Sequence, residues 1–173
     1  NTISNCNIGI AIVGFAASTP FTLGDTGNDI GGSSVSTGNT ILNFGGTGAV
    51  TTAQGILTSN QWNLNVSFNI INNNNGSGSN HTLGLAGISV GAATSANATI
   101  NNNTVTLQSA GTTDALQGIV NASGSTAASN TITMNNNLVT NCVYTVSSTN
   151  AVFNAILNSG TPAVLIMNNN MVS

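Results

Sequence analysis

The chain has 173 residues and a formal net charge of −3, with no Lys or Arg and only three acidic residues. Charged residues make up 2 % of the sequence, whereas ordinary soluble domains contain roughly 25 %. Because the chain lacks Lys and Arg, it has almost nothing with which to neutralise phosphates, which argues against binding to nucleic acids or anionic lipids.

The remaining composition predicts an all-β fold. Apolar residues make up 40 % of the chain, and disordered segments have low hydrophobicity. The polar residues are mostly Asn, Thr, Ser and Gly, which form helices poorly, while Thr, Val and Ile favour strands. The sequence contains no apolar run long enough for a membrane-spanning helix, so membrane insertion is not expected.

An Asn followed by two strand-forming or apolar residues recurs along the chain. Three of these recurrences lie in Asn triplets, at residues 101–103, 135–137 and 168–170. The steps between successive members are 38, 30, 34, 34 and 33 residues, a spacing typical of a repeat architecture. The members of this series are Asn1, Asn39, Asn69, Asn103, Asn137 and Asn170.

A second marker recurs in phase with the first. It is a small residue followed by Ile, at Gly9-Ile10, Gly55-Ile56, Gly87-Ile88, Gly118-Ile119 and Ala155-Ile156. Two phased markers predict about five coils of roughly 30–38 residues, which form one segment over residues 1–173. Residues 15–38 fit the repeat least well and are predicted to form a longer loop excursion.

The coil that begins at Gly87 has the clearest pattern. It predicts strands at residues 87–90, 97–102 and 104–107, with Asn103 at a tight corner before the third strand. Alternation within these strands sends one set of side chains to a common interior face. That set is Ile88, Val90, Ile100, Val105 and Leu107.

The corner Asn has two properties that suit a stacked coil. Asn tolerates a left-handed backbone, so we expect the corner residue itself to adopt it. Its carboxamide can also donate to the equivalent amide of one neighbouring coil and accept from that of the other, which forms a ladder. Each such bond is expected to contribute about 1 kcal/mol net.

The residues Asn-Thr-Ile-Ser-Asn-Cys at positions 1–6, followed by Gly9-Ile10, resemble the repeat of the right-handed, pectin-lyase-like parallel β-helix superfamily. The resemblance covers nearly the whole chain and implies a right-handed parallel β-helix, although the period near 34 exceeds that of the compact family repeat. Family enzymes use acidic clusters with calcium and a basic residue, or paired carboxylates. This chain lacks Lys and Arg and has three scattered Asp residues, so no enzymatic activity is expected.

The best local candidate for a metal site lies in residues 24–32. Asp25, Asn28 and Asp29 could provide oxygen ligands for Ca²⁺. However, the segment lacks a third carboxylate, and Asp, Asn and Gly also favour surface turns for backbone reasons. We therefore expect a surface turn and no cofactor, with calcium as the alternative.

Four further side chains have the chemistry to form a site. His81 has no partner for a catalytic dyad and is predicted to be an exposed loop residue. Cys6 and Cys142 occupy the same phase four coils apart, on the order of 19 Å at the spacing of adjacent strands, so we expect them to be free and buried. Trp62 belongs to no aromatic row and is expected to fill the core or an edge.

Two Thr-x-Thr pairs resemble those of ice-binding solenoids, namely Thr104 with Thr106 and Thr131 with Thr133. The first pair follows the corner Asn of its coil, and the second precedes it. The two pairs are therefore predicted to lie on different strands of their coils and to form no single flat array, so an ice-binding solenoid is only an alternative.

Together these features favour a non-enzymatic structural or adhesive segment that acts as a rigid stalk and contact surface. The chain resembles, in compositional style, the repetitive shafts of giant bacterial surface adhesins, which implies an extracellular location at the cell surface. The expected partners are neighbouring coils of the same or a stacked chain, with surface glycans or a substratum as further partners. A self-assembling fibre subunit and a carbohydrate-binding or polysaccharide-degrading β-helix are alternatives.

Overall fold

The computed structural model describes residues 1–47, 51–125, 129–147 and 150–173. These residues form a parallel β-solenoid of about five turns, in which short strands alternate with turns and loops. The predicted all-β class, the parallel stacking and the number of coils are confirmed.

The first three coils follow one another with a similar succession of short strands, although the third strand of coils 1 and 2 has no counterpart among the described strands of coil 3. Coil 1 contains β1 (Thr2–Ser4), β2 (Ile8–Val13), β3 (Asp25–Thr26) and β4 (Asp29–Ile30). Coil 2 contains β5 (Thr40–Leu42), β6 (Ala53–Ser59), β7 (Gln61–Trp62) and β8 (Leu64–Ser67). Coil 3 contains β9 (Ile70–Asn72), β10 (Leu85–Val90) and β11 (Ala98–Asn101).

Coil 4 contains β12 (Thr104–Thr106), β13 (Gln108–Ser109), β14 (Leu116–Asn121) and β15 (Thr131–Asn135). Coil 5 contains β16 (Leu138–Val139), β17 (Val143–Tyr144), β18 (Phe153–Asn158) and β19 (Val164–Ile166). A sixth turn starts with β20 (Met171–Val172). Two short 3₁₀ helices lie at Val35–Thr37 and Ser77–Asn80.

In the described residues, three parallel sheets run along the solenoid. Sheet 1 has the strand order β1-β5-β9-β12-β16-β20. Sheet 2 has the order β18-β14-β10-β6-β2, and sheet 3 has the order β19-β15-β11-β8-β4. Strand pairs β13–β17 and β3–β7 add two smaller parallel contacts. Each strand therefore pairs with its equivalent one coil away, as a stacked repeat requires.

The register of sheet 2 follows the predicted Gly-Ile markers. The Ile residues are direct partners from coil to coil, in the order Ile10, Ile56, Ile88, Ile119 and Ile156. The five side chains predicted to face the interior of the third and fourth coils are also buried. They are Ile88, Val90, Ile100, Val105 and Leu107. The alternation of inward and outward side chains along three short strands therefore predicted these core residues correctly.

The Gly of the first four markers lies where sheet 2 approaches sheet 1. A Cβ on Gly87 would lie 2.5 Å from Val105 Cγ1, and one on Gly55 would lie 2.6 Å from Ile71 Cγ2. Gly9 and Gly118 occupy equivalent positions in their coils. Since real side chains essentially never make contacts this short, the row of Gly residues is what lets the two sheets pack closely.

Residues 15–38, predicted as an excursion, combine a loop with part of the regular coil. Strands β3 and β4 lie within this range and pair with β7 and β8 of the next coil. The preceding loop packs back onto the solenoid through Phe21, whose ring centroid lies 5.6 Å from that of Trp62.

One buried hydroxyl in sheet 2 leads to a stability prediction. Thr58 is fully buried between its register partners Ile12 and Val90, and its Oγ1 has no hydrogen-bond partner in the described part of the chain. Thr58→Val keeps the shape and removes the unsatisfied hydroxyl, so it should raise the free energy of unfolding by about 1 kcal/mol. Urea denaturation followed by circular dichroism would measure this; a loss of stability would mean that the hydroxyl has a partner.

Candidate functional site: the asparagine ladder

The six predicted ladder residues form an unbroken row of side-chain hydrogen bonds along one corner of the solenoid. In every step, the Nδ2 atom of one Asn donates to the Oδ1 atom of the equivalent Asn in the next coil. The distances are 3.0 Å for Asn1 to Asn39, 2.9 Å for Asn39 to Asn69, and 3.0 Å for each step through Asn103 and Asn137 to Asn170.

The buried ladder amides use their full hydrogen-bonding capacity. Asn103 Nδ2 donates to Asn137 Oδ1 at 3.0 Å and to the carbonyl oxygen of Val66 at 2.9 Å. Asn103 Oδ1 accepts from both the backbone N and the Nδ2 of Asn69, each at 3.0 Å. A carboxamide offers two donors and two acceptor positions, so all four positions of Asn103 are used. Asn137 repeats this arrangement one coil later.

This network also fixes the direction of every amide. If the oxygen and nitrogen of Asn103 were exchanged, its NH₂ group would face the backbone N–H of Asn69. Along the row, each Nδ2 therefore faces the ladder Oδ1 of the next coil toward the carboxyl terminus, while its second hydrogen is donated to a backbone carbonyl, as that of Asn103 is to Val66. The ladder is a polar structure with two different ends.

The prediction that the ladder Asn itself adopts a left-handed backbone was wrong. The positive φ angles belong to the preceding residue: 60° at Phe68, 56° at Asn102, 55° at Asn136 and 54° at Asn169. The ladder residue directly precedes a strand of sheet 1 and turns its side chain inward, so the reversal is completed one residue earlier. Asn is favoured at the reversal because it tolerates this conformation.

The first Asn of each triplet has a third function. Asn101 Oδ1 accepts from the backbone N of Asn135 at 2.8 Å, and Asn135 Oδ1 accepts from that of Asn168 at 2.8 Å. The three consecutive Asn residues therefore cap the end of sheet 3, make the left-handed turn and form the buried ladder, in that order. Asn suits each of the three positions for a different physical reason, although Phe68 makes the equivalent turn in coil 2.

A shorter internal ladder was not predicted from the sequence. Asn121 is fully buried, and its Nδ2 donates to Asn158 Oδ1 at 2.8 Å and to the carbonyl oxygen of Ser123 at 3.1 Å. The available signal was an Asn three residues after the small-residue marker in both coils. With only two members, this pair gave no period to recognise.

The calcium candidates are engaged with neighbouring protein groups. Gln61 lies between Asp25 and Asn28: it accepts from Asn28 Nδ2 at 2.6 Å, and its own Nε2 lies 3.5 Å from Asp25 Oδ2. Asp29 Oδ1 accepts from the backbone N of Gly32 at 2.8 Å and from Asn65 Nδ2 at 2.7 Å. Asp29 thus stabilises a turn and ties it to coil 2. A calcium site stays a prediction.

The prediction that His81 is exposed was wrong, because the side chain is completely buried. Its Nδ1 lies 3.4 Å from the carbonyl oxygen of Gly46, and its Nε2 lies 3.2 Å from that of Gly84. The ring packs on Gly45, where an added Cβ would lie 3.2 Å from the imidazole. His81 therefore joins two loops beside the second and third coils.

The two Cys residues are free, as predicted, but both are only partly buried. Burial raises the pKa of both thiols above the ordinary value, which makes them less nucleophilic. Trp62 is buried as expected, and its Nε1 donates to the carbonyl oxygen of Thr94 at 2.9 Å.

The two Thr-x-Thr pairs lie on different sheets, as the sequence predicted. Thr104 and Thr106 belong to β12 in sheet 1, whereas Thr131 and Thr133 belong to β15 in sheet 3. The partners of Thr104 in sheet 1 are Ile70 and Leu138. An ordered array of Thr therefore does not extend from this pair to the adjacent coils.

The described residues contain no cluster of three or more His, Cys, Asp or Glu side chains that could bind a metal ion. Within the same ranges, helices long and apolar enough to cross a membrane are also absent. A cleft of about 300 Å³ lies in the loop between Phe15 and Leu23 and is lined by residues of that loop alone.

No protein-family model matches the chain, and searches of curated proteins and of solved structures gave no match. Function is therefore inferred from the side-chain geometry of the solenoid.

Proposed function

We propose that the chain is a non-enzymatic shaft segment of a large secreted cell-surface protein, in which it acts as a rigid stalk and as a contact surface. This role resembles that of the shafts of giant bacterial adhesins, built on a right-handed β-helix of the pectin-lyase-like type. The observation that carries the proposal is the unbroken Asn ladder from Asn1 to Asn170, which links all the coils and whose four inner amides are buried.

The ladder adds to the three sheets at every junction between coils. A force along the solenoid axis therefore acts on several parallel rows of hydrogen bonds at once, and bending would have to stretch one of them. Buried amides resist such stretching because an unpaired polar group in a core costs about 1–3 kcal/mol. Five coils at the strand spacing of about 4.8 Å would extend roughly 24 Å, so a longer array would act as a spacer.

The surface chemistry fits contact more than catalysis. The three carboxylates are not gathered into one cluster, and the outward side chains of sheet 1 are uncharged, including Thr40, Thr104 and Thr106. Hydroxyl, amide and methyl groups of this kind can contact neutral glycans or a substratum without strong electrostatic selection. We therefore propose no cofactor.

Force spectroscopy of the 173-residue chain, pulled through handles at its two ends, tests the shaft role. We expect the coils to unfold together in one event, because each coil depends on its neighbours for core and hydrogen bonds. Loss of the coils one by one at low force would contradict the proposal. A parallel assay on neutral and acidic polysaccharides, with and without Ca²⁺, should give no turnover; measurable turnover would contradict the non-enzymatic role.

A further inference from the structure

The loop between β9 and β10 carries the single Asn-Gly pair of the chain, Asn75-Gly76. It belongs to coil 3, between coils 2 and 4, and Asn75 is exposed to solvent. A Gly that follows an Asn has no side chain to hinder its backbone nitrogen, and its backbone rotates freely. That nitrogen can therefore approach the carbonyl carbon of the Asn side chain more easily than the nitrogen of any other residue type.

Both reacting groups of this pair are free of hydrogen bonds in the part of the chain that the structure describes. The bonds nearest to them use other atoms. The backbone N of Asn74 donates to Asn72 Oδ1 at 2.8 Å, and the carbonyl oxygen of Gly76 accepts from Ser79 Oγ at 3.1 Å. The carboxamide of Asn75 can therefore rotate toward the backbone N of Gly76.

Other Asn residues that precede a small residue are held at both reacting groups. Asn121 Nδ2 donates to Asn158 Oδ1 at 2.8 Å, so neither carboxamide rotates freely. The backbone N of Ser159 donates to the carbonyl oxygen of Asn121 at 2.8 Å, and that of Ala122 donates to Val90 at 2.7 Å. Hydrogen bonding thus protects these pairs and leaves Asn75 open.

Packing against coil 2 explains why position 76 is a Gly. A Cβ on Gly76 would lie 2.5 Å from Asn43 Oδ1 and 2.6 Å from Asn43 Cγ. The same Oδ1 accepts from the backbone N of Gly78 at 2.7 Å, so moving it would loosen the loop. A larger residue, which would hinder cyclisation, therefore does not fit without a cost in stability. The fold itself retains the reactive pair.

Hydrogen bonds on both sides clamp the loop and confine the pair to its tip. Asn73 is buried, and its Nδ2 donates to the carbonyl oxygen of Gly78 at 3.0 Å and to that of Gln108 at 2.8 Å. Asn73 Oδ1 also accepts from the backbone N of Gln108 at 2.7 Å. The clamp joins the two ends of the tip to coil 4, so a chemical change at Asn75 does not reach the sheets.

We propose that Asn75 is a site of spontaneous deamidation in the folded protein. The backbone nitrogen of Gly76 attacks Asn75 Cγ, so that an N–Cγ bond forms and the Cγ–Nδ2 bond breaks. Ammonia leaves with the proton that the Gly76 nitrogen loses, and a cyclic imide results. Water then opens the ring at Cγ to give Asp, or at the backbone carbonyl carbon to give isoaspartate. Solvent water is the only co-reactant.

The product places a carboxylate in a loop that has none. Residues 73–84 contain no Asp or Glu, and one added negative charge changes the formal net charge of −3 to −4. The isoaspartate form also lengthens the backbone of the tip by a methylene group. Deamidation therefore turns a neutral part of the surface anionic as the protein ages, while the clamp keeps the coil folded.

Peptide mapping of the purified chain after incubation in mildly alkaline buffer tests this site. Chymotrypsin is the suitable protease, because the chain has no Lys or Arg for trypsin, and cleavage after Phe68 and Leu83 releases residues 69–83. This peptide should gain about 1 Da, with fragment ions that place the change at Asn75. Circular dichroism of the same samples should show the folded spectrum. An unmodified Asn75, or equal modification of Asn158, would overturn the proposal.

Two substitutions at the same position are the controls. Asn75→Gln keeps a neutral carboxamide but needs a larger, less favourable ring, so residues 69–83 should lose the mass gain; a gain that persists would assign the reaction to another Asn. Asn75→Asp supplies the product directly and should leave the urea midpoint unchanged, whereas a lower midpoint would show that the clamp does not isolate the tip. The shaft role does not require this reaction, so the pulling experiment and this one can fail independently.

Discussion

Replacing Asn103 with Ala is expected to lower the free energy of unfolding by about 4 kcal/mol. The change leaves the backbone N and one Nδ2 hydrogen of Asn69 without their acceptor and removes the side-chain donor to Asn137 Oδ1, which keeps only the backbone N–H of residue 103. It also removes the donor to the carbonyl oxygen of Val66. Several buried polar groups would thus become unsatisfied at once. Chemical denaturation followed by circular dichroism would measure the loss.

The matched control is Asn136→Gly, in the next triplet. Asn136 is exposed and makes the left-handed turn with φ at 55°, a conformation that Gly adopts without strain. We expect a change within about 0.5 kcal/mol. If Asn103→Ala were as mild as this control, the ladder would not be a major source of stability.

The second large effect is expected at the interface of sheets 1 and 2. Gly87→Val should destabilise the protein by about 3 kcal/mol, because the new side chain would enter the space of Val105 and of the Gly118 backbone. A Cβ alone would lie 2.5 Å from Val105 Cγ1 and 2.6 Å from the Gly118 carbonyl oxygen. The backbone oxygen cannot yield without disturbing the pairing of β10 with β14. Thermal and urea denaturation would measure the effect.

Gly84→Ala is the control for this substitution, because it adds a Cβ to a Gly three residues away. The nearest atoms there belong to the Thr52 side chain, at 3.3 and 3.4 Å, and a side chain can adjust. We expect a change below about 1 kcal/mol at this site. Equal destabilisation at both positions would contradict crowding between the sheets as the cause, since replacing Gly by itself restricts the unfolded chain and does not destabilise the fold.

The sequence was most informative where stacking forces the same residue to recur. The ladder residues and the Ile of each marker must meet their equivalents one coil away, so their spacing reveals the register directly. This is why the coils, the sheets and the interior set of coils 3 and 4 could be predicted from one chain. The Gly row was visible as a marker, but its reason, close contact with Ile71 and Val105, required the structure.

Local ambiguity limited the prediction elsewhere. Within three identical Asn residues, the sequence cannot tell which one makes the turn, and Phe68 takes that position in coil 2. His81 lies in a Gly- and Ser-rich loop that looks exposed, yet the loop folds back so that Gly45 receives the imidazole. This burial depends on the conformations of two loops. The spacing of the repeat does not predict loop conformations.

The common direction of the ladder amides has an electrical consequence. In each sheet, strand dipoles are small and contribute little along the axis. The six side-chain amides instead point the same way, with every oxygen toward Asn1 and every nitrogen toward Asn170. Their dipoles add and polarise one another, with the positive end at Asn170. In a chain without Lys or Arg, neutral side chains thus give the solenoid an axial field.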